Sequence, residues 1–546
     1  MPQSHRKLAD GRYMLHGEPF LLVAGEIHNS GSSTPTAIER SFDAATRLGV
    51  DTVLAPIAWE SIEPEEGLFE FALVDILVDA ARVRGLHLIP LWFGTWKNGM
   101  STYTPIWVKG NSERFPRIIN SAGLVLESVT PFSDAARDAD ARAFAALMRH
   151  LASIDDGETV LMVQVENEVG VLSDARDRSS LAEDHWNKPV PSDVAAAISA
   201  AQNGRLADSY ERGGRSTSAG WPALLADEAD EAFMAAAYAR YIETVARAGR
   251  AEFDVPMFVN AWVDANASND GGDSQLALAG GARPGDYPSG GPLRHTAAIW
   301  RHLAPSLDFL APDLYFGSFD AVADAYRAID GVLFIPEMQC NRTGVEQMFR
   351  AVGELGAIGA APFAFDLMSE EDDSYREVQD AFALLRSLSM LLGRHPNAEL
   401  CGFTLTNEEP SRLLFGDMLE VTSKHMSEIF PSSQNGVGCV ARVGSNEYFI
   451  VGRGFAIRPL DGAGGRGAWA AVEELERDGE AFVAQRRLNG DEIGGGEWIR
   501  LPILNQGQSE LFPIRQNLQL SGVLRVTTYT ASAAPGRAAA RISEAR

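Results

Sequence analysis

Two segments of the chain place carboxylates where chemistry could be done. The first reads Val160-Leu-Met-Val-Gln-Val-Glu-Asn-Glu-Val169. Side chains alternate along a strand, so Gln164, Glu166 and Glu168 share one face while Val163 and Val165 share the other. Carboxylates on an interior face are costly unless they are hydrogen-bonded and used. Glu168 is expected at the end of the row, Glu166 one layer deeper, and Asn167 free to turn inward and bond a hydroxyl. The second segment reads Val332-Leu-Phe-Ile-Pro-Glu-Met-Gln339, where Glu337 is the lone carboxylate closing an apolar run. Two carboxyl groups facing one another are equipped to break an acetal C–O bond. One protonates the leaving oxygen, and the other attacks carbon or activates water. Without that work, the first segment would be a buried polar network and Glu337 would need a salt-bridge partner.

Other residues near the same strand ends fit recognition of a polyol. Trp59, Trp92, Trp96 and Trp262 fall at or just past strand ends, and an indole face packs against the C–H face of a pyranose while its hydroxyls take polar partners. Tyr315 ends the sixth strand, next to the seventh, where its hydroxyl could donate to Glu337 and hold it ionised. Lys97 and Asn98 could bond hydroxyls beyond the third.

These side chains need a frame, and the chain supplies one of repeating kind. Eight short runs dense in Val, Ile, Leu and Phe read as buried strands: Phe20–Ile27, Asp51–Trp59, Leu86–Phe93, Val160–Glu166, Met257–Trp262, Leu307–Tyr315, Val332–Glu337 and Ile358–Phe365. Between and after them, apolar residues three and four apart predict helices over Thr36–Leu48, Leu73–Arg84, Asp134–Leu151, Asp227–Ala248, Leu293–Leu303, Phe319–Ile329, Gly344–Leu355 and Asp372–Leu392. Gly49 and Gly85 follow helix ends where a left-handed residue is wanted. Eight strand–helix units favour a closed (β/α)8 TIM barrel, of class α/β, over residues 1–395. Gly170–Ala226 and Asp264–Pro292 read as long connections on the rim that carries active sites in such barrels.

Beyond residue 396 the pattern changes to short alternating runs, such as Phe403–Leu405, Glu447–Val451, Trp498–Leu501 and Val523–Tyr529, with Gly-rich turns at Gly462–Gly467 and Gly494–Gly496. They predict a smaller all-β domain over 396–530, followed by an Ala/Arg-rich flexible tail over 531–546. A net charge of −27 argues against nucleic acid or an anionic membrane surface as partner. Three scattered cysteines, Cys340, Cys401 and Cys439, make no metal-binding or disulfide pattern, and the histidines show no ligand spacing, so neither metal nor organic cofactor is expected. No apolar stretch is long enough to span a bilayer and no secretory leader is visible, which predicts a cytoplasmic protein. A homo-oligomer is left open.

Asn167-Glu168 ending strand four, with a Glu ending strand seven, resembles the large clan of retaining glycosidases on (β/α)8 barrels. The likeness tightens at Gln164-Val-Glu-Asn-Glu-Val-Gly170 and at Trp59-Glu-Ser-Ile-Glu-Pro-Glu-Glu-Gly67, which look like β-galactosidases of glycoside hydrolase families 35 and 42. The resemblance covers most of residues 15–395. It implies Glu168 as acid/base, Glu337 as nucleophile, and a carbohydrate substrate cleaved with retention. The C-terminal region looks like the short β-domain of a bacterial branch of family 35. Two motifs depart from the family. The third strand ends Leu91-Trp-Phe-Gly-Thr-Trp-Lys-Asn98, without the usual Glu, and Gly25-Glu-Ile-His-Asn-Ser30 carries Glu26 where a small residue is common. Both departures bear on which sugar is bound, and they add Glu26 to the candidate binding residues. Another exo-β-glycosidase or endo-β-glycanase of the clan is the alternative, and a carbohydrate-binding barrel without catalysis is the alternative of a different class.

Overall fold

A computed structural model describes residues 6–155, 157–201, 204–215, 219–264, 281–406, 408–424, 435–462, 465–479, 481–501 and 521–530. The chain divides into two compact units, residues 1–396 and 397–546. In the first unit, eight parallel strands run in sequence order. They are β1 (Ala24–Glu26), β2 (Thr52–Ala58), β3 (His87–Lys97), β4 (Val163–Asn167), β5 (Met257–Trp262), β6 (Phe309–Asp313), β7 (Phe334–Met338) and β8 (Gly359–Pro362). β1 to β6 form one continuous ladder and β7 pairs with β8. Backbone hydrogen bonds close the ring: Leu314 N to Glu337 O (2.8 Å) joins the β6 and β7 segments, while Leu22 N to Ile358 O (2.9 Å) and Ala364 N to Glu26 O (2.8 Å) join those of β8 and β1. The sheet is therefore a closed (β/α)8 barrel rather than an open one.

The helices are α1 (Pro35–Leu48), α2 (Ala72–Val83), α3 (Asp134–Ile154), α4 (Ala229–Arg250), α5 (Ala297–Leu303), α6 (Phe319–Asp330), α7 (Arg342–Gly353) and α8 (Tyr375–Arg394). Their ends follow local chemistry. The Thr34 hydroxyl accepts from Ala37 N ahead of α1, Pro35 opens that helix, and Gly49 closes it at φ 87°. Ser133 and Asn341 cap α3 and α7 in the same way. The Gly170–Ala226 connection, expected as a loop, holds four short helices: Ser180–Trp186, Ser192–Ala200, Arg205–Arg212 and Trp221–Leu225. Most of the second long connection, residues 265–280, lies outside the described residues.

Strand parity builds the barrel interior in layers. Leu22, Ala24, Leu54, Ile89, Leu91, Phe93, Met162, Phe258, Phe309, Ala311 and Phe334 belong to one buried cluster. Phe258 stacks on Phe309 at 5.1 Å and meets Phe334 edge-on at 5.5 Å. At the opposite end from the mouth, an antiparallel meander (Arg6–Ala9, Arg12–Leu15, Glu18–Pro19) supplies Tyr13, whose hydroxyl donates to Leu161 O at 2.7 Å. Continuing the same parity toward the C-terminal ends brings Glu26 above Ala24, Asn260 above Phe258 and Asp313 above Ala311. The apolar layers thus end in a polar one, as expected where such barrels carry their sites.

The second unit is a sandwich. A six-stranded antiparallel sheet (Glu399–Leu405, Gly436–Arg442, Glu447–Arg453, Val523–Tyr529, Ala468–Asp478, Ala481–Arg487) faces a four-stranded one (Ser411–Leu414, Leu419–Thr422, Phe455–Pro459, Ile499–Leu501). Phe403, Ile450 and Val526 of the first pack with Val421, Ile457 and Leu501 of the second. At the turn expected at Gly494–Gly496 the backbone leaves helical geometry, with Gly494 and Gly495 left-handed at φ 55° and 68°, and the one expected at Gly462–Gly467 is only partly within the described residues. The tail read at 531–546 lies outside them.

The β1–β8 seam tolerates no side chain at Gly359, where a Cβ would stand 2.7 Å from Leu22 O and 3.2 Å from the Phe334 ring. Gly359→Ala is expected to lower stability by about 1–3 kcal/mol, as other overpacked positions do. A thermal melt of the full chain reads this directly, and an unchanged midpoint would contradict the closure described.

Candidate active site

The end of β4 departs from strand geometry in a way that decides what points where. Glu166 and Glu168 both have left-handed backbones, φ 62° and 47°. Such non-glycine conformations cost of order 1–3 kcal/mol and persist only when the surroundings over-determine them. Here they do. The Glu166 carboxylate accepts Thr95 N (3.0 Å) and Trp96 N (2.7 Å), and Glu168 N donates to Asn260 Oδ1 (3.0 Å). Alternation therefore stops at Gln164. The expectation that Glu166 lies one layer below Glu168 is corrected: its carboxyl leaves the axial row for the β3 backbone and Asp140 of α3. Asp140 itself takes Trp92 Nε1 (2.9 Å) and the Thr95 hydroxyl (2.6 Å). Burial first, and the Asp140 charge second, push the Glu166 carboxyl well above its ordinary range.

This outer acid pair holds a bulge. Trp92 is paired with Val165 and Lys97 with Asn167, so four residues of β3 stand opposite Glu166 alone. The bulge re-aims the strand end. Trp96 turns out against Tyr238 and Tyr241, and Lys97 turns in, where its ammonium donates to Asn167 Oδ1 at 3.0 Å.

One carboxylate oxygen from each of Glu168, Asp313 and Glu337 lies within 4.8 Å of the other two. Glu337 is the most fully solvated by donors. Tyr315 OH reaches Oε2 at 3.0 Å, Asn167 Nδ2 and Asn260 Nδ2 reach Oε1 at 3.3 and 3.4 Å, and Lys97 Nζ stands 4.0 Å from Oε1. Glu168 is different. Burial and then the Glu337 charge raise its pKa to about 7, against the opposing pull of Lys97 and a hydrogen bond with Asp313. Burial and then Glu337 also hold Glu26 and Asp313 well above the carboxylate range. For Lys97, burial acts to lower the pKa, but the carboxylates of Glu337, Glu168, Glu26 and Asp313 outweigh it and the net shift is upward. The spacing of the three carboxylates is also that of a metal-ligand set. Lys97 already supplies the countercharge there, so we assign no metal.

Glu26 is fully buried, and neither of its oxygens has a hydrogen-bond partner among the described residues. A carboxyl left without donors in a polar pocket is poised for a ligand's hydroxyls. The tryptophans divide. Trp59, Trp92 and Trp96 are completely buried, with indole N–H groups committed to Glu63, Asp140 and Val129 O. The reading that placed these three at the sugar is corrected: a residue at a strand end can face the helix layer as readily as the axis. Trp262, at the end of β5, is half-buried and keeps an accessible surface. Sequence reasoning missed Asn260 and Asp313, although both continue the axial parity of their strands to the polar layer. It also missed the pair of His28 Nδ1 and Asp366 Oδ2, 2.6 Å apart, which links the loops after β1 and β8.

Residues 12–213 match glycosyl hydrolases family 35, and residues 378–500 match a domain of unknown function, DUF5597. The first half of the barrel is family 35-like. A β-galactosidase from Xanthomonas manihotis is 30% identical over 176 residues, which make up 30% of this chain and 26% of that protein. The chain thus spans about a quarter of the curated relative it matches. A β-galactosidase structure from Bacillus circulans sp. alkalophilus is similar with a TM-score of 0.47 and 13% identity, over 68% of this chain and 56% of that one. An exo-β-1,4-mannosidase from Opitutaceae bacterium strain TAV5 scores 0.42 at 13% identity, over 70% and 62% of the two chains. The family 35-like segment carries Glu26, Lys97, Asn167 and Glu168, while Asp313, Tyr315 and Glu337 come from strand ends beyond it.

Glu26 carries a pH-dependent cost. Its folded pKa is raised above the unfolded value, so the stability associated with its neutral form is complete at acidic pH and is lost as pH rises toward the folded value. Glu26→Gln is therefore expected to raise the melting temperature at pH 7.5, by the equivalent of about 1–3 kcal/mol, with the gap narrowing at pH 5. Parallel melts at the two pH values check this, and a gap independent of pH would show that Glu26 is not the strained carboxyl described.

Proposed function

We propose that the chain is a retaining exo-β-glycosidase, and specifically a β-galactosidase that removes terminal β-galactosyl units from oligo- or polysaccharides by double displacement. The observation that carries this reading is the pairing of Glu168 and Glu337 across a gap of at most 4.8 Å. Retaining enzymes hold their carboxyl groups about 5–5.5 Å apart, whereas inverting ones leave about 6.5–9.5 Å for a water. The galactosyl preference rests on the family 35 match and on the Xanthomonas relative. Three free cysteines suit a reducing compartment, which favours a cytoplasmic location, and no described helix is long and apolar enough to cross a membrane.

The division of labour follows from the electrostatics. Glu337, oriented by Tyr315, Asn167 and Asn260, attacks the anomeric carbon. Glu168, whose proton is held by burial and by the Glu337 charge, gives it to the departing oxygen. Esterification of Glu337 removes that charge and lets the Glu168 pKa fall, so Glu168 stays ionised after giving up its proton and serves as the base that takes a proton from the incoming water. Asn167, tied to Lys97, presents an amide to a sugar hydroxyl beside the nucleophile, and Glu26 and Trp262 complete the pocket. No step calls for a metal or organic cofactor.

Three outcomes test this. Glu337→Gly should abolish turnover of every substrate, with azide or formate partly restoring it and azide yielding the α-azide. Glu168→Ala should show a dinitrophenolate burst and slow turnover, accelerated by azide to give the β-azide, while losing about 10²–10⁴-fold on poor leaving groups. In the parent, kcat/KM for poor leaving groups should fall as pH rises through about 7, where Glu168 loses its proton. Rescue and burst at Glu166 variants instead would overturn the assignment.

A further inference from the structure

Asp313 lies in the cluster without an evident task. It ends β6 and is 3% exposed. Its Oδ2 accepts Asn260 Nδ2 at 2.8 Å, and its Oδ1 is buried with no donor among the described residues. Asn260 also accepts Glu168 N through its Oδ1, so one amide ties the Asp313 carboxyl to the backbone of Glu168. One oxygen of the Asp313 carboxyl and one of the Glu168 carboxyl lie within 4.8 Å of each other. A carboxylate has no hydrogen to donate, so a hydrogen bond between the two requires a proton on one partner.

We propose that Asp313 is a positioning residue that stays protonated and donates a hydrogen bond to Glu168, stabilising the carboxylate that Glu168 becomes when it gives up its proton. This inference rests on the double-displacement reading above. The surroundings say which partner keeps the shared proton. The Asp313 carboxyl lies within 4.8 Å of those of Glu168 and Glu337, and the charge of Glu26 also acts on it, while the Tyr315 and Tyr326 hydroxyls donate to Glu337 and Pro292 O. The nearby cation, Lys97, is committed to Asn167 and leans toward Glu337. Asp313 Oδ1 is sealed from solvent with no donor among the described residues, so an ionised Asp313 would be a buried charge held by one amide, and Glu168 is the partner that ionises.

The cycle balances without consuming the Asp313 proton. In the first half, Glu337 forms a bond to the anomeric carbon, the bond to the leaving oxygen breaks, and that oxygen takes the Glu168 proton. The new Glu168 carboxylate then accepts the Asp313 O–H. In the second half, water attacks the anomeric carbon, the ester bond to Glu337 breaks, and Glu168 takes the proton from water.

Two substitutions separate this role from simple packing. Asp313→Asn keeps an acceptor for Asn260 and an N–H for Glu168, so the alkaline limb of kcat/KM on an aryl β-galactoside should stay within about half a unit of the parent. Asp313→Leu removes the donor and should move that limb up by about one unit or more, with a lower kcat. A limb that falls by about one unit in Asp313→Asn would mean an ionised, repelling Asp313. A limb unmoved in both variants would reduce the residue to packing. Either result overturns the proposal. The infrared difference between parent and Asp313→Asn at neutral pH should contain the C=O stretch of a protonated carboxylic acid, and a carboxylate band in its place also overturns it. The infrared reading needs no turnover. A parent inactive on every aryl β-glycoside would sink the proposed function while leaving the state of Asp313 decided separately.

Discussion

Four carboxyl groups share one ammonium at the mouth of this barrel, and the charges that pocket can sustain follow from that ratio. Lys97 is buried among Glu337, Glu168, Glu26 and Asp313. Isolated buried charges are prohibitively expensive, so a single cation can support few anions. Tyr315, Asn167 and Asn260 all direct their donors at Glu337. The remaining carboxyls are driven toward their neutral forms. The proposed acid and the proposed nucleophile are thus the same residue type, separated by the donors each one has.

Lys97 reaches that position because β3 bulges, and the bulge is held from outside the axis. Glu166 accepts two backbone N–H groups of the bulge, while Asp140 accepts the Thr95 hydroxyl and the Trp92 indole. The strained backbone at Glu166 and Glu168 is therefore tied to the placement of Lys97 and Asn167. Structure of this kind sits at the stability-for-function boundary: a chain selected only for stability would not bury Glu26 without a partner.

Most of this frame was legible in the sequence, because buried parallel strands and amphipathic helices write their periods plainly. The eight strand segments and their helices occupy the positions that periodicity assigned, with boundaries shifted by a few residues. Glu168 and Glu337 could be singled out because a carboxylate ending an apolar run has few bland explanations. Period-two reasoning failed where the backbone stopped being a strand. A left-handed Glu166 reverses its own side chain, and a bulge of four residues sends Trp96 outward and Lys97 inward. Neither event leaves a mark in hydrophobic pattern. The helices within Gly170–Ala226 escaped for another reason: with five to nine residues each, they are too short to repeat a helical period. Asn260 and Asp313 were within reach of the parity argument, since each continues the axial row of its own strand.

The family 35-like segment ends at residue 213, yet Glu337, the proposed nucleophile, stands on β7, so its pairing with Glu168 depends on closure of the ring bringing two distant parts of the chain together. The claim that matters most is that Glu337, among three carboxylates within 4.8 Å of one another, is the one that bonds to the sugar. The direct measurement is to trap the intermediate with an activated 2-deoxy-2-fluoro-β-galactoside, digest the protein and locate the added sugar by mass spectrometry. The account requires a single label on Glu337. A label on Glu168 or Asp313, or turnover with inversion and no label at all, would contradict it.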